Sequence, residues 1–204
     1  AAFDYLLGLA LAPLLGGIVN RVKARFAGRS GPPLVQGYLD IWKLWRKGTV
    51  YSRTTSWVFR AGPVVGLAAV ALALALVPFG GERALLAFPG DMIACLYLLG
   101  LARFATVLAA LDTGSSFEGM GASREVLYGA LAEPALMLGL TALARRTGSL
   151  SLSSIYGGLD ATAWSVSGAS PAMVLIAFVI TLLAENARIP FDDPATHLEL
   201  TMVH

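Results

Sequence analysis

Charge and cysteine are what this 204-residue chain has least of. Only 14% of its residues are Asp, Glu, Lys or Arg, against roughly a quarter in a soluble domain. With 56% hydrophobic residues and a mean hydropathy of +0.69, the apolar surface exceeds what a water-soluble core of this size can hide. The single cysteine, Cys95, excludes a disulfide framework and a cysteine-ligated iron–sulfur cluster built from this chain alone. Any redox centre therefore belongs to a partner. A net charge of +2 argues neither for nor against nucleic acid, because distribution matters more than sum. The first apolar run has no basic leader and no small-residue cleavage site, so it reads as a first span and not as a signal peptide.

What is present is a series of long apolar runs. Crossing hydrocarbon takes about 20 mostly apolar residues in a helix. Five candidates meet that need: Tyr5 to Asn20, completed by Ala1 to Phe3; Ala61 to Gly81; Asp91 to Leu111; Arg124 to Ala144; and a fifth within Ala161 to Ala184, starting near Pro171. Pro78 to Gly81, Asp112 to Gly121 and Thr147 to Gly158 read as turn-rich links. The expected fold is an all-α polytopic transmembrane helix bundle, one transmembrane domain over 1–204. The chain stops at His204 in a helix that has only just begun, so the domain is expected to be incomplete at its C-terminus.

Between the first two spans lie nine basic residues, Arg21, Lys23, Arg25, Arg29, Lys43, Arg46, Lys47, Arg53 and Arg60, against one acid, Asp40. The positive-inside rule places this 21–60 loop in the cytoplasm. Arg145 and Arg146 then fall on the outer side, against the rule. Within the loop, Leu34, Tyr38, Ile41, Trp42 and Trp45 recur at helical spacing beside Lys43, Arg46 and Lys47. This describes an amphipathic interfacial helix, serving either as a surface anchor or as a shelf on which a peripheral partner docks.

Charges inside the apolar runs point to function. A charge at the bilayer centre costs about 2.5–3.5 kcal/mol on insertion scales, so it survives where it meets a counter-charge or a wet cavity. Arg103 and Glu133 sit near the middle of adjacent spans. They form either a buried ion pair or, at Glu133, a proton-relay carboxylate. Glu125 and Glu185 lie nearer the span ends, where ordinary solvation explains them almost as well. After Glu185 come Arg188, Pro190, Asp192, Asp193, Pro194, His197 and Glu199, with Asp193-Pro194 starting a further helix. His197 and His204 are seven residues apart, which is not the spacing of a HExxH metal site.

The stretch Glu185-Asn186-Ala187-Arg188-Ile189-Pro190-Phe191-Asp192 resembles the AExxRxPFD loop of the NADH dehydrogenase subunit 1 family. Gly28 to Pro33 followed by the amphipathic helix, Ala61-Gly62-Pro63, and Arg124 nine residues before Glu133 agree in order. Leu111 to Ser115, Gly119 to Glu125 and Asp193 to Leu200 resemble the hydrogenase branch, the subunit 4 of formate hydrogenlyase and its hydrogenase-4 and Ech-type relatives. The resemblance implies about eight spans in the whole protein, and a non-catalytic subunit of an oxidoreductase complex in a bacterial or archaeal inner membrane. It implies partners: a [NiFe] hydrogenase-like large subunit, an iron–sulfur small subunit and antiporter-like membrane subunits. The [NiFe] and iron–sulfur cofactors would sit in those partners, with none in this chain. By position, Arg103, Glu133, Glu185, Arg188, Asp192 and Asp193 become ion-coupling candidates. Arg29, Trp42, Trp45, Glu125, His197 and Glu199 become partner-docking candidates. The alternative is the quinone-chamber subunit of a complex I-type dehydrogenase. An independent secondary transporter lacks support, since no inverted repeat is visible.

Overall fold

The computed structural model describes residues 1–79, 81–160, 164–165 and 168–186. All regular structure among them is helical: α1 Ala2–Phe26, α2 Gln36–Trp45, α3 Trp57–Leu76, α4 Asp91–Asp112, α5 Ser116–Thr147, α6 Leu152–Gly157 and α7 Ala169–Glu185. By length and composition α1, α3, α4 and α5 can each cross a membrane, and α7 is a shorter apolar helix of 17 residues. The chain is a multi-pass membrane protein. Large apolar side chains such as Leu6, Leu15, Leu67, Leu131 and Leu138 are more than half exposed, as helices facing lipid require.

The contacts divide the chain into two compact units, Ala1–Tyr51 and Ser52–His204. In the first, α2 and the residues leading into it pack on α1 at two glycines. A Cβ on Gly37 would lie 2.9 Å from the Pro13 carbonyl oxygen, and one on Gly17 would overlap the Leu34 backbone. The Tyr38 hydroxyl donates to the Ala10 carbonyl. Every residue from Tyr38 to Trp45 remains exposed, and the Arg46 guanidinium lies 4.6 Å from the Trp42 ring centroid.

In the second unit α4 is central, packed on α3 and on α5, while α7 packs on α5. Small residues let α3 and α4 approach. A Cβ on Gly62 would stand 2.6 Å from Ala109 Cβ and 3.0 Å from the Ala105 oxygen, the kind of close approach that joins helices where lipid offers no hydrophobic drive. A carboxylate marks each end of α4. Asp112 caps α3, accepting from Ser56 N at 2.7 Å, Ser56 Oγ at 2.7 Å and Phe59 N at 3.1 Å. Asp91 is fully buried and accepts from Leu152 N at 2.6 Å and Ser151 Oγ at 2.9 Å. The 22 residues of α4, these two included, rise roughly 33 Å, about the hydrocarbon thickness.

The helix boundaries differ from the sequence expectation in four places. Helix α1 runs on to Phe26, six residues past Asn20, because its Arg- and Lys-bearing last turn favours the negative end of the helix dipole. Helix α3 starts at Trp57 and not at Ala61, because Ser56 Oγ accepts from Val58 N and caps the helix there. It ends at Leu76, ahead of Pro78. Helix α5 starts at Ser116 and not at Arg124, so the expected link 112–121 shrinks to 113–115, turned by Gly114 at φ +69°. Its 32 residues rise roughly 48 Å, well beyond hydrocarbon. Arg145 and Arg146 therefore occupy a last turn capped by Gly148 at φ +65°, where cations suit the helix dipole. The link 147–158 contains α6, whose Leu152 and Ile155 complete a core with Leu76, Met92, Cys95 and Ala144.

Candidate functional site

Antiparallel register sets the site. Arg103 lies nine residues before the end of α4, and Glu125 nine residues after the start of α5. Across the short 113–115 turn the two residues therefore reach the same depth, roughly 13 Å in from the helix ends. Glu125, Gly129 and Glu133 follow at intervals of four and share one face of α5. The Arg103 guanidinium lies along this face and is divided among three carboxylates. Its Nε donates to Glu125 Oε1 at 3.4 Å, Nη1 to Glu133 Oε1 and Nη2 to Glu185 Oε2. Glu185 is the last residue of α7, so α7 ends at the depth of Arg103.

The cluster is partly enclosed. The Arg103 side chain is 14% exposed, Glu125 21%, Glu185 29% and Glu133 47%. With all groups ionised, three carboxylates against one guanidinium carry a formal charge of −2. Each carboxylate holds a different nitrogen of a planar fork that is always charged, a geometry that a lysine ammonium does not reproduce. Charge-assisted bonds of this kind offset the cost of placing ions at membrane depth. The cluster opens on a cavity of about 1460 Å³, otherwise mostly apolar and lined by Gly66 and Val70 of α3, Tyr97 and Gly100 of α4, and Met137 of α5. Carboxylates that share one counter-charge beside a cavity can exchange a proton or a small cation with whatever enters it.

The structure thus brings together four of the residues that the sequence singled out: Arg103, Glu125, Glu133 and Glu185. Glu125 and Glu185 are bonded to the same guanidinium as Glu133, although in the sequence ordinary solvation near the span ends explains them almost as well. Arg29, Trp42 and Trp45 lie in the first unit, all exposed. Arg188, Asp192, Asp193, His197 and Glu199 fall outside the described residues. Two features escaped the sequence reading. Gly129 was not singled out, although its i, i+4, i+8 spacing with the two glutamates was visible. Asp91 was seen only as the start of a span. Among the described residues no group of three or more His, Cys, Asp or Glu could hold a metal ion. One buried cysteine supplies a single thiolate, where an iron–sulfur cluster takes four protein ligands.

These features define a polytopic helical membrane protein with a charged cluster part-way along its helices. The NADH dehydrogenase family profile matches residues 2–203, and the chain belongs to that family. It is 38% identical over 195 residues to formate hydrogenlyase subunit 4 of Escherichia coli (strain K12), covering 94% of this chain and 62% of that one. It is also 38% identical over 199 residues to hydrogenase-4 component C of the same organism, covering 94% and 60%. NADH-quinone oxidoreductase subunit 8 of Thermus thermophilus is 29% identical over 197 residues, covering 90% and 53%. Among solved structures, a chain of the membrane-bound sulfane sulfur reductase, an archaeal respiratory membrane complex, matches with a TM-score of 0.81 and 27% identity over 94% of this chain and 62% of that one. The chain spans about 60% of the length of the two Escherichia coli relatives. The relatives are subunits or components of redox complexes.

Proposed function

We propose that this chain is the membrane anchor and ion-coupling subunit of a complex I-related, membrane-bound [NiFe] hydrogenase of the formate hydrogenlyase kind. It links a redox arm to movement of protons or sodium ions. The observation that carries the ion-coupling part is the Arg103 cluster, where one guanidinium holds Glu125, Glu133 and Glu185 from three positions on two helices. A charge pattern of this cost is retained where it is paired, faces a wet cavity or serves an ion path, and here three carboxylates share one guanidinium beside a cavity. The higher identity to the two hydrogenase-complex subunits than to the NADH-quinone oxidoreductase subunit favours the hydrogenase assignment.

In this reading the [NiFe] and iron–sulfur centres belong to partner subunits, and antiporter-like subunits adjoin this chain in a bacterial or archaeal inner membrane. The basic 21–60 loop faces the cytoplasm. Arg29 and the exposed Trp42 and Trp45 of α2 serve docking of the soluble arm, as do Glu125, His197 and Glu199, while Arg188, Asp192 and Asp193 belong with Arg103, Glu133 and Glu185 to the ion-coupling residues. A second reading, the quinone-chamber subunit of a complex I-type dehydrogenase, draws on the apolar cavity beside Arg103 and on the NADH-quinone oxidoreductase relative. Purification of the complex by a tag on this chain separates the two. Hydrogen evolution by a co-purified nickel–iron subunit is the expected result. Quinone reduction without hydrogen evolution overturns the hydrogenase reading.

A further inference from the structure

We propose that Gly129 is a positioning residue: the absence of its side chain is what lets the Arg103 guanidinium lie along α5 and hold Glu125, Glu133 and Glu185 at once. The functional consequence rests on the ion-coupling reading above; the placement does not.

Gly129 is buried midway between Glu125 and Glu133 on one face of α5. A Cβ built there would overlap Arg103 Nη1 and lie 2.6 Å from its Cζ and 2.8 Å from its Cδ. Real Cβ atoms do not approach so closely, and the overlap falls on the body of the side chain and not on one free tip. Three nitrogens of that guanidinium are each engaged by a different glutamate. Any movement that relieves the overlap therefore draws at least one nitrogen away from its carboxylate. Gly100 gives matching room on α4, since a Cβ there would meet Glu133 Oε1 at 3.5 Å, which is ordinary contact. Gly129 is thus the tight side of the pocket and Gly100 the tolerant side.

Helix propensity gives the test a sign. Alanine is the better helix former and glycine among the poorest, so at an unconstrained site inside α5 an alanine raises the melting temperature. At a site filled by Arg103 it lowers it.

The experiment compares Gly129→Ala, Arg103→Gln and the double variant in the assembled, purified complex by thermal unfolding. Gly129→Ala is expected to lower Tm in the wild-type background and to leave it level or raise it in the Arg103→Gln background. Equal lowering in both backgrounds, or a rise in the wild type, overturns the proposal, because contacting residues couple and independent ones add. If Gly129→Ala fails to assemble, assembly of the double variant supports the placement and its failure overturns it. Ion uptake per electron in vesicles then reads the consequence. Gly129→Ala is expected to lower it below the wild-type ratio. Non-additive melting with unchanged ion uptake leaves the placement standing and removes the ion-coupling reading.

Discussion

Replacing Arg103 by glutamine leaves three carboxylates in mutual reach with no counter-charge. The glutamine keeps a hydrogen-bond donor but no charge, and it is too short to span from Glu125 to Glu185. Removing one partner of a buried pair costs about 3–5 kcal/mol. Glu133 is 47% exposed, which moves its share toward the 0–1 kcal/mol of solvent-screened pairs, so we take the lower end, about 3 kcal/mol. For a chain of this length each kcal/mol shifts the melting temperature by about 2–4 °C, so Arg103→Gln should lower it by about 6–12 °C. Scanning fluorimetry of the purified complex reads this directly. The sign of a second substitution is more diagnostic. Adding Glu133→Gln removes one uncompensated carboxylate, so Arg103→Gln/Glu133→Gln should be more stable than Arg103→Gln alone. A double variant that is as unstable as the sum of the two single changes refutes the reasoning, since the two groups would then not be coupled.

Two further outcomes follow from other parts of the structure. Asp91→Asn keeps the shape but removes the charge that strengthens the bonds from Leu152 N and Ser151 Oγ and turns one accepting oxygen into an amide N–H; a loss of about 2 kcal/mol is expected, read as a lower melting temperature and faster proteolysis at residues 149–160. A cysteine at the exposed Gly48, with Cys95 buried and so nearly silent, should be labelled from the cytoplasmic side; labelling only from the opposite side would reverse the assigned orientation.

Arg103 and Glu133 were legible because charges stand out in apolar runs. Their grouping with Glu125 and Glu185 was not. It depends on the register across 113–115, and a Gly- and Ser-rich stretch that looked like a loop from Asp112 to Gly121 hid the true start of α5 at Ser116. With that start known, Arg103 and Glu125 fall nine residues either side of the turn and their meeting is simple counting. Asp91 shows another limit. Its partners lie some 60 residues downstream, in a Ser-rich link whose single buried turn, Leu152 and Ile155, carries too few apolar residues to declare a helix. The aromatic and basic stripe of α2 was readable from Tyr38 to Trp45, since a helix of ten residues shows its faces in the spacing alone, while Leu34, Arg46 and Lys47 of the same pattern lie outside the helix.

The ion-coupling claim is tested most directly at Glu185, whose carboxylate joins the end of α7 to Arg103. Glu185→Gln retains size and hydrogen bonding but removes the charge and the titrating proton. In vesicles holding the assembled complex, hydrogen-linked ion uptake should fall while the soluble arm stays bound and hydrogen evolution continues. An assembled Glu185→Gln complex that moves ions at the wild-type rate would contradict the account and take Glu185 out of the coupling path, whereas loss of the soluble arm would assign Glu185 to docking instead.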